Sequence, residues 1–106
     1  MIIVSKEKFI NWLKKKEYKD WTKTGFPSTI PEYVYWIERV MEQESINSWS
    51  ELTDKIQCLL KVYGKHGKKE KFGGKNHFVV INALNRFMEY LLNECGFVPK
   101  SEIWFA

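Results

Sequence analysis

Apolar residues return every three or four positions along nearly the whole chain, and no stretch alternates convincingly with period two. That periodicity buries helix faces rather than sheet faces, so the fold class it predicts is all-α. Ile30, Val34, Ile37 and Met41 recur at spacings of four, three and four, with Tyr33, Trp36 and Val40 broadening the stripe. Leu52, Ile56, Leu59, Leu60 and Tyr63 make a second face, and Phe78, Ile81, Leu84, Phe87, Leu91 and Cys95 a third. A shorter one runs through Phe9, Trp12 and Leu13.

Local signals set the expected boundaries. Ser5 can cap a first helix that fades around residues 16–18. Residues 19–29, with Gly25, Pro27 and Ser28, read as a loop. Thr29 is a plausible cap for the next helix, with Pro31 in its first turn. Ser48-Trp49-Ser50-Glu51 fits a capping box, in which the glutamate reaches back to the cap amide. Gly64 is placed to end that helix in a left-handed turn, and Gly96 to end the last. Between them, residues 64–75 hold four glycines and five lysines and read as a flexible basic loop. Four helices in a single domain over residues 1–106 follow. Its core spans about residues 5–96, and 97–106 form a tail or the start of a linker.

With 106 residues and 44% hydrophobic content, the chain can bury a core without staples. Seventeen aromatics exclude disorder, and no uncharged stretch approaches the length of a membrane span. The opening Met-Ile-Ile-Val-Ser-Lys is the reverse of a secretory signal, so a cytoplasmic location is expected. Cys58 and Cys95 are too few for a disulfide scaffold or a structural zinc site and read as small core residues. Neither His66 nor His77 stands at a metal-ligand spacing, so no metal and no cofactor are expected. Glu38, Glu42, Glu51 and Asp54 read as solvated charge rather than as a catalytic carboxylate pair. No constellation for an enzyme emerges.

The net charge of +4 is segregated along the chain. Residues 6–23 carry seven lysines against three acids, residues 32–54 six acids against Arg39, and residues 61–75 six lysines against Glu70. Segregation of this kind gives a basic surface suited to phosphate, or else solvated lysines that serve solubility. Gly73-Gly74-Lys75 can present amides and an ammonium to a backbone phosphate, though the full phosphate-loop pattern is missing. Asn82, Asn85 and Arg86 share one side of the last helix. On that side they either approach base edges in a major groove or are plain exposed positions, with Arg86 paired to Glu89 or Tyr90. Trp12, Trp21, Trp36 and Trp49 can stack on bases, but at helical spacing they read more readily as core.

Thr29-x-x-x-Tyr33, then Ser48-Trp49-Ser50-Glu51-Leu52, then Ala83-Leu84-x-x-Phe87-x-x-Tyr90-Leu91 compose a pattern over residues 5–96. It resembles the SAM-like N-terminal core-binding domain of tyrosine recombinases and phage integrases. The resemblance implies a four- to five-helix orthogonal bundle that clamps double-stranded DNA without catalysing anything, since the catalytic domain of such enzymes cannot fit in 106 residues. It places Thr22, Lys23, Thr24, Ser28 and Thr29 near one contact, and Lys75, Asn76, His77, Asn82, Asn85 and Arg86 at the other. Lys65, Lys68, Lys69 and Lys71 of the basic loop join them as phosphate ligands, and a catalytic recombinase domain is the implied partner. The alternative is a protein-interaction module of phage or mobile-element type, using the acidic helix around Glu38, Glu42 and Glu44 and the apolar Ile103-Trp104-Phe105.

Overall fold

The computed structural model describes residues 4–16 and 29–96. They form an all-α bundle of five helices: α1 (Lys6–Lys15), α2 (Thr29–Gln43), α3 (Trp49–Tyr63), α4 (Glu70–Gly73) and α5 (Lys75–Glu94). No strand occurs among the described residues.

Capping explains most of the boundaries. The Ser5 hydroxyl accepts the Lys8 amide at 3.2 Å and starts α1, and Lys14 and Lys15 complement the dipole in its last turn. Ser48 starts α3 the same way, accepting the Glu51 amide at 3.1 Å. The Glu51 carboxylate accepts from the Asn47 amide at 2.9 Å, one residue earlier than the expected box would place it. Thr29, expected as a cap, is itself the first helical residue of α2.

The end of α2 is a Schellman motif. Ile46 N–H donates to the Met41 carbonyl at 2.8 Å and Ser45 N–H to the Glu42 carbonyl at 3.3 Å, while Ser45 takes the left-handed conformation at φ 57°. Ile46 follows the turn and is buried. Gly96 ends α5 with φ 60°, as expected. Gly64 does not end α3 in this way: its φ of −88° and ψ of −171° are extended.

The core is organised on α5, which packs against each of the other four helices. Val79, Val80, Ala83, Leu84, Phe87, Met88, Tyr90 and Leu91 are all buried along it. Phe9 brings α1 onto α5: its ring meets Phe87 edge-on at 5.4 Å, Tyr90 at 5.7 Å and Trp49 at 5.9 Å. Such aromatic contacts add about 0.5–1.5 kcal/mol each beyond the area they bury.

Three expectations are corrected. Cys95 is buried as expected, but Cys58 is exposed. Two residues beyond Ile56, it is turned about 200° from that buried side chain. Phe78, expected in the apolar register of the last helix, is 63% exposed. The buried arc of α5 is carried by Val79 and Val80 instead. The segment expected as a flexible loop is packed. It contains α4, Lys69 N–H donates to the Val62 carbonyl at 2.8 Å, and Gly73 is buried against the end of α3. A Cβ at Gly73 would collide with the Tyr63 carbonyl oxygen, so the backbone approach there requires glycine.

Candidate nucleic-acid interface

Three features anchor the basic segment to the bundle. The Phe72 ring sits edge-on between Trp36 of α2 and Tyr63 of α3, both at 5.8 Å. Gly73 closes against Tyr63, as described above. Lys69 donates to the Glu44 carboxylate at 2.6 Å, and its ammonium lies 5.6 Å from the centre of the Tyr63 ring. The Tyr63 hydroxyl donates to the same Glu44 oxygen at 2.8 Å. The hydrogen bond from Lys69, followed by that from Tyr63, lowers the Glu44 pKa below the ordinary carboxylate value. Burial, reinforced by Glu44, raises the Tyr63 phenol well above its ordinary value.

Lys69 therefore serves the fold first, in contrast to its expected role as a free phosphate ligand. Lys65, Lys68, Lys71 and Lys75 are exposed, and none forms an ion pair among the described residues. Lys75 leans on Phe72, its ammonium 5.1 Å from the ring centre. Four ammonium groups on a braced backbone make a preorganised polycation. The Gly73 and Gly74 amides do not add to it: they donate to the Lys69 and Glu70 carbonyls at 3.0 and 2.9 Å. The expected amide cradle for a phosphate is thus already occupied by the helical turn itself.

On α5, Asn82 is exposed and Asn85 and Arg86 are half-buried, all on the side away from the core. The Arg86 Nε lies 3.1 Å from the Glu89 carboxylate, the pairing weighed in the sequence as its alternative role. Phe78 belongs to the same outward stripe, four residues before Asn82 and seven before Asn85. Asn76 and His77 fall in the first turn of α5, and their side chains lie outside the described structure. Thr22, Lys23, Thr24 and Ser28 lie outside the described residues, and Thr29 is half-buried at the head of α2. The structure thus brings the 65–75 lysines next to the head of α5, with Asn82, Asn85 and Arg86 further along that helix.

The acidic helix is partly neutralised within the chain. Glu38 pairs with Lys6 at 3.3 Å, Glu42 with Arg39, and Glu44 with Lys69. Trp12 is buried, and Trp36 and Trp49 are half-buried in ring contacts, so their packing is that of core residues. Trp21 and the apolar Ile103-Trp104-Phe105 lie outside the described residues. No described helix is long and apolar enough to cross a membrane.

Sequence reasoning passed over Glu44, Tyr63, Phe72 and Phe78 as parts of this surface. For Phe78 the signal was present: counted back from the buried Val79, Val80, Ala83 and Leu84, its position falls opposite the apolar arc. No protein-family model matches this chain, and no curated protein or solved structure matches it.

Proposed function

We propose that this chain is a non-catalytic DNA-binding domain of the recombinase core-binding type. Lys65, Lys68, Lys71 and Lys75 neutralise backbone phosphates and set the register. Asn82, Asn85 and Arg86 then approach base edges from the outward stripe of α5. Asn76, His77, Thr29 and, beyond the described residues, Lys23, Thr24 and Ser28 extend the contact. The observation that carries the reading is the set of four exposed lysines without acidic partners among the described residues, held on a braced segment that runs directly into α5. Fixing the backbone beforehand lowers the entropy lost on binding.

The test is fluorescence anisotropy with a labelled random duplex across a salt series. The expected result is micromolar affinity at low salt with a steep negative slope. Replacing Lys65, Lys68 and Lys71 together by alanine flattens that slope by about 2.7, since each phosphate contact contributes about 0.9. Lys69 is left in place because it holds the segment. No binding at about 50 mM salt, where several phosphate contacts are strong, defeats the reading.

A second reading, a protein-interaction module, is favoured by one observation. Ile10, Ile30, Pro31, Val34 and Tyr35 line an apolar cleft of about 420 Å³ between α1 and α2, flanked by Lys6 and Glu38, with Tyr35 half exposed. Failure of duplex binding together with loss of partner binding in Tyr35→Ala would establish it in place of the first.

A further inference from the structure

The exposed aromatic on the basic side of the molecule is a phenylalanine that the apolar pattern assigned to the core. Phe78 is 63% exposed, and its backbone lies in the left-handed region at φ 68°, which a phenylalanine seldom adopts. Such a conformation persists only where the surroundings hold it. The ring reaches over Gly74: a Cβ built there would lie 3.4 Å from the ring edge. Beside it opens a cleft of about 400 Å³, floored by Gly73, Gly74 and Ile81 and rimmed by Lys65 and Glu70.

Resting on the DNA-binding reading, we infer that this cleft receives an unpaired nucleobase stacked against the face of Phe78. The ligand class is therefore single-stranded DNA, or duplex DNA with a displaced base, in addition to a regular duplex. Charge complementarity selects this occupant. An apolar ring and floor alone would suit many groups, but here Lys65 stands on the rim, and the exposed Lys71 and Lys75 follow directly in sequence on Glu70 and Gly74 of the lining, a setting that fits a ligand alternating flat apolar rings with phosphates. Glu70 repels a phosphate from its side of the rim, so the strand runs along the Lys65 side with the edge of the base toward Glu70. Phe78 also leads, four residues on, to Asn82, so a strand leaving the cleft continues along the outward stripe of α5.

Three labelled probes test this by anisotropy at fixed salt: a short single strand, the same strand without bases, and a blunt duplex. The chain binds the single strand more tightly than its abasic counterpart. Phe78→Ala lowers single-strand affinity by about 5- to 150-fold, the range for loss of one stacking platform, and abolishes the preference over the abasic strand. Duplex affinity changes less than about twofold, and Phe78→Trp restores single-strand binding. An unchanged circular dichroism spectrum and melting temperature show that the exposed ring is not needed for folding. The inference alone is overturned if Phe78→Ala leaves single-strand affinity unchanged, if it weakens single strand and duplex equally, or if the protein binds duplex only. Failure of the unmodified chain to bind any probe overturns the DNA-binding reading and the cleft assignment together.

Discussion

Lys69 and Glu44 lie 25 positions apart in the chain and meet at 2.6 Å, where the Glu44 carboxylate also accepts the Tyr63 hydroxyl. One acid thus ties together the end of α2, the end of α3 and the lysine-rich segment. Its effect on a polyanion is the opposite of what its charge alone implies. An isolated acid repels phosphate, whereas this one holds the backbone that carries four exposed lysines.

Glu44→Gln is expected to destabilise the chain by about 1–2 kcal/mol, combining a partly exposed ion pair with a weakened hydrogen bond. Urea unfolding measures this. Amide exchange in residues 65–74 should accelerate, and duplex affinity should fall despite the added net positive charge. Tighter binding by the variant would show that Glu44 acts only as a repelling charge.

The same cluster makes stability depend on pH at both extremes. Glu44 has its pKa lowered by folding, so its contribution is present above the unfolded value of 4.5 and is lost as pH falls through the folded value. Tyr63 has its pKa raised, so its contribution is present below the unfolded value of 10.0 and is lost as pH rises beyond it. Melting temperatures should therefore fall at both ends. Glu44→Gln should flatten the acid limb and Tyr63→Phe the alkaline limb.

Two adjacent glycines separate steric need from habit. Gly73→Ala drives a Cβ into the Tyr63 carbonyl and is expected to cost about 3 kcal/mol, at the upper end for overpacking. Gly74→Ala meets nothing closer than the movable Phe78 ring at 3.4 Å and should change stability by less than about 0.5 kcal/mol. Denaturant midpoints for the two variants give the comparison directly.

At the end of α2, Ser45 occupies the left-handed position of a Schellman motif that glycine fills more easily. Ser45→Gly should stabilise the chain by about 1 kcal/mol, the lower end of the left-handed penalty for an L-residue. A rise of several degrees in melting temperature is the expected signature.

The local features of this fold were legible in the sequence because their causes are local. Ser5, Ser48 and Gly96 act on amides and dihedral angles within a few residues, and their roles appear in the structure as their positions suggest. The helical stripes of α2 and α3 followed from spacing alone. Features that depend on distant partners were not legible. Nothing near Lys69 signals Glu44, and nothing near Gly73 signals the Tyr63 carbonyl, so a glycine- and lysine-rich segment read as a loop when it is packed. Phe78 and Cys58 were misplaced for a simpler reason. Each is apolar and sits one or two residues from a buried position, so residue type suggests burial where helical angle points outward. For the candidate interface, charge and spacing single out lysines and an asparagine, Asn82, that are exposed in the structure, while the bracing beneath them required the tertiary structure.

The docking of Phe9 on Phe87 has a consequence for biosynthesis. The Phe9 ring can meet Trp49 of α3 early, but it finds Phe87 and Tyr90 only when the last helix has been made, so this part of the core is completed late. At ordinary translation speeds, the 78 positions from Phe9 to Phe87 take roughly 4 to 16 seconds to synthesise. Throughout that interval Phe9 and Trp12 lack their α5 partners, which leaves part of the α1 face as a natural target for a holding chaperone. The aromatic cluster is then completed when α5 joins the helices already made.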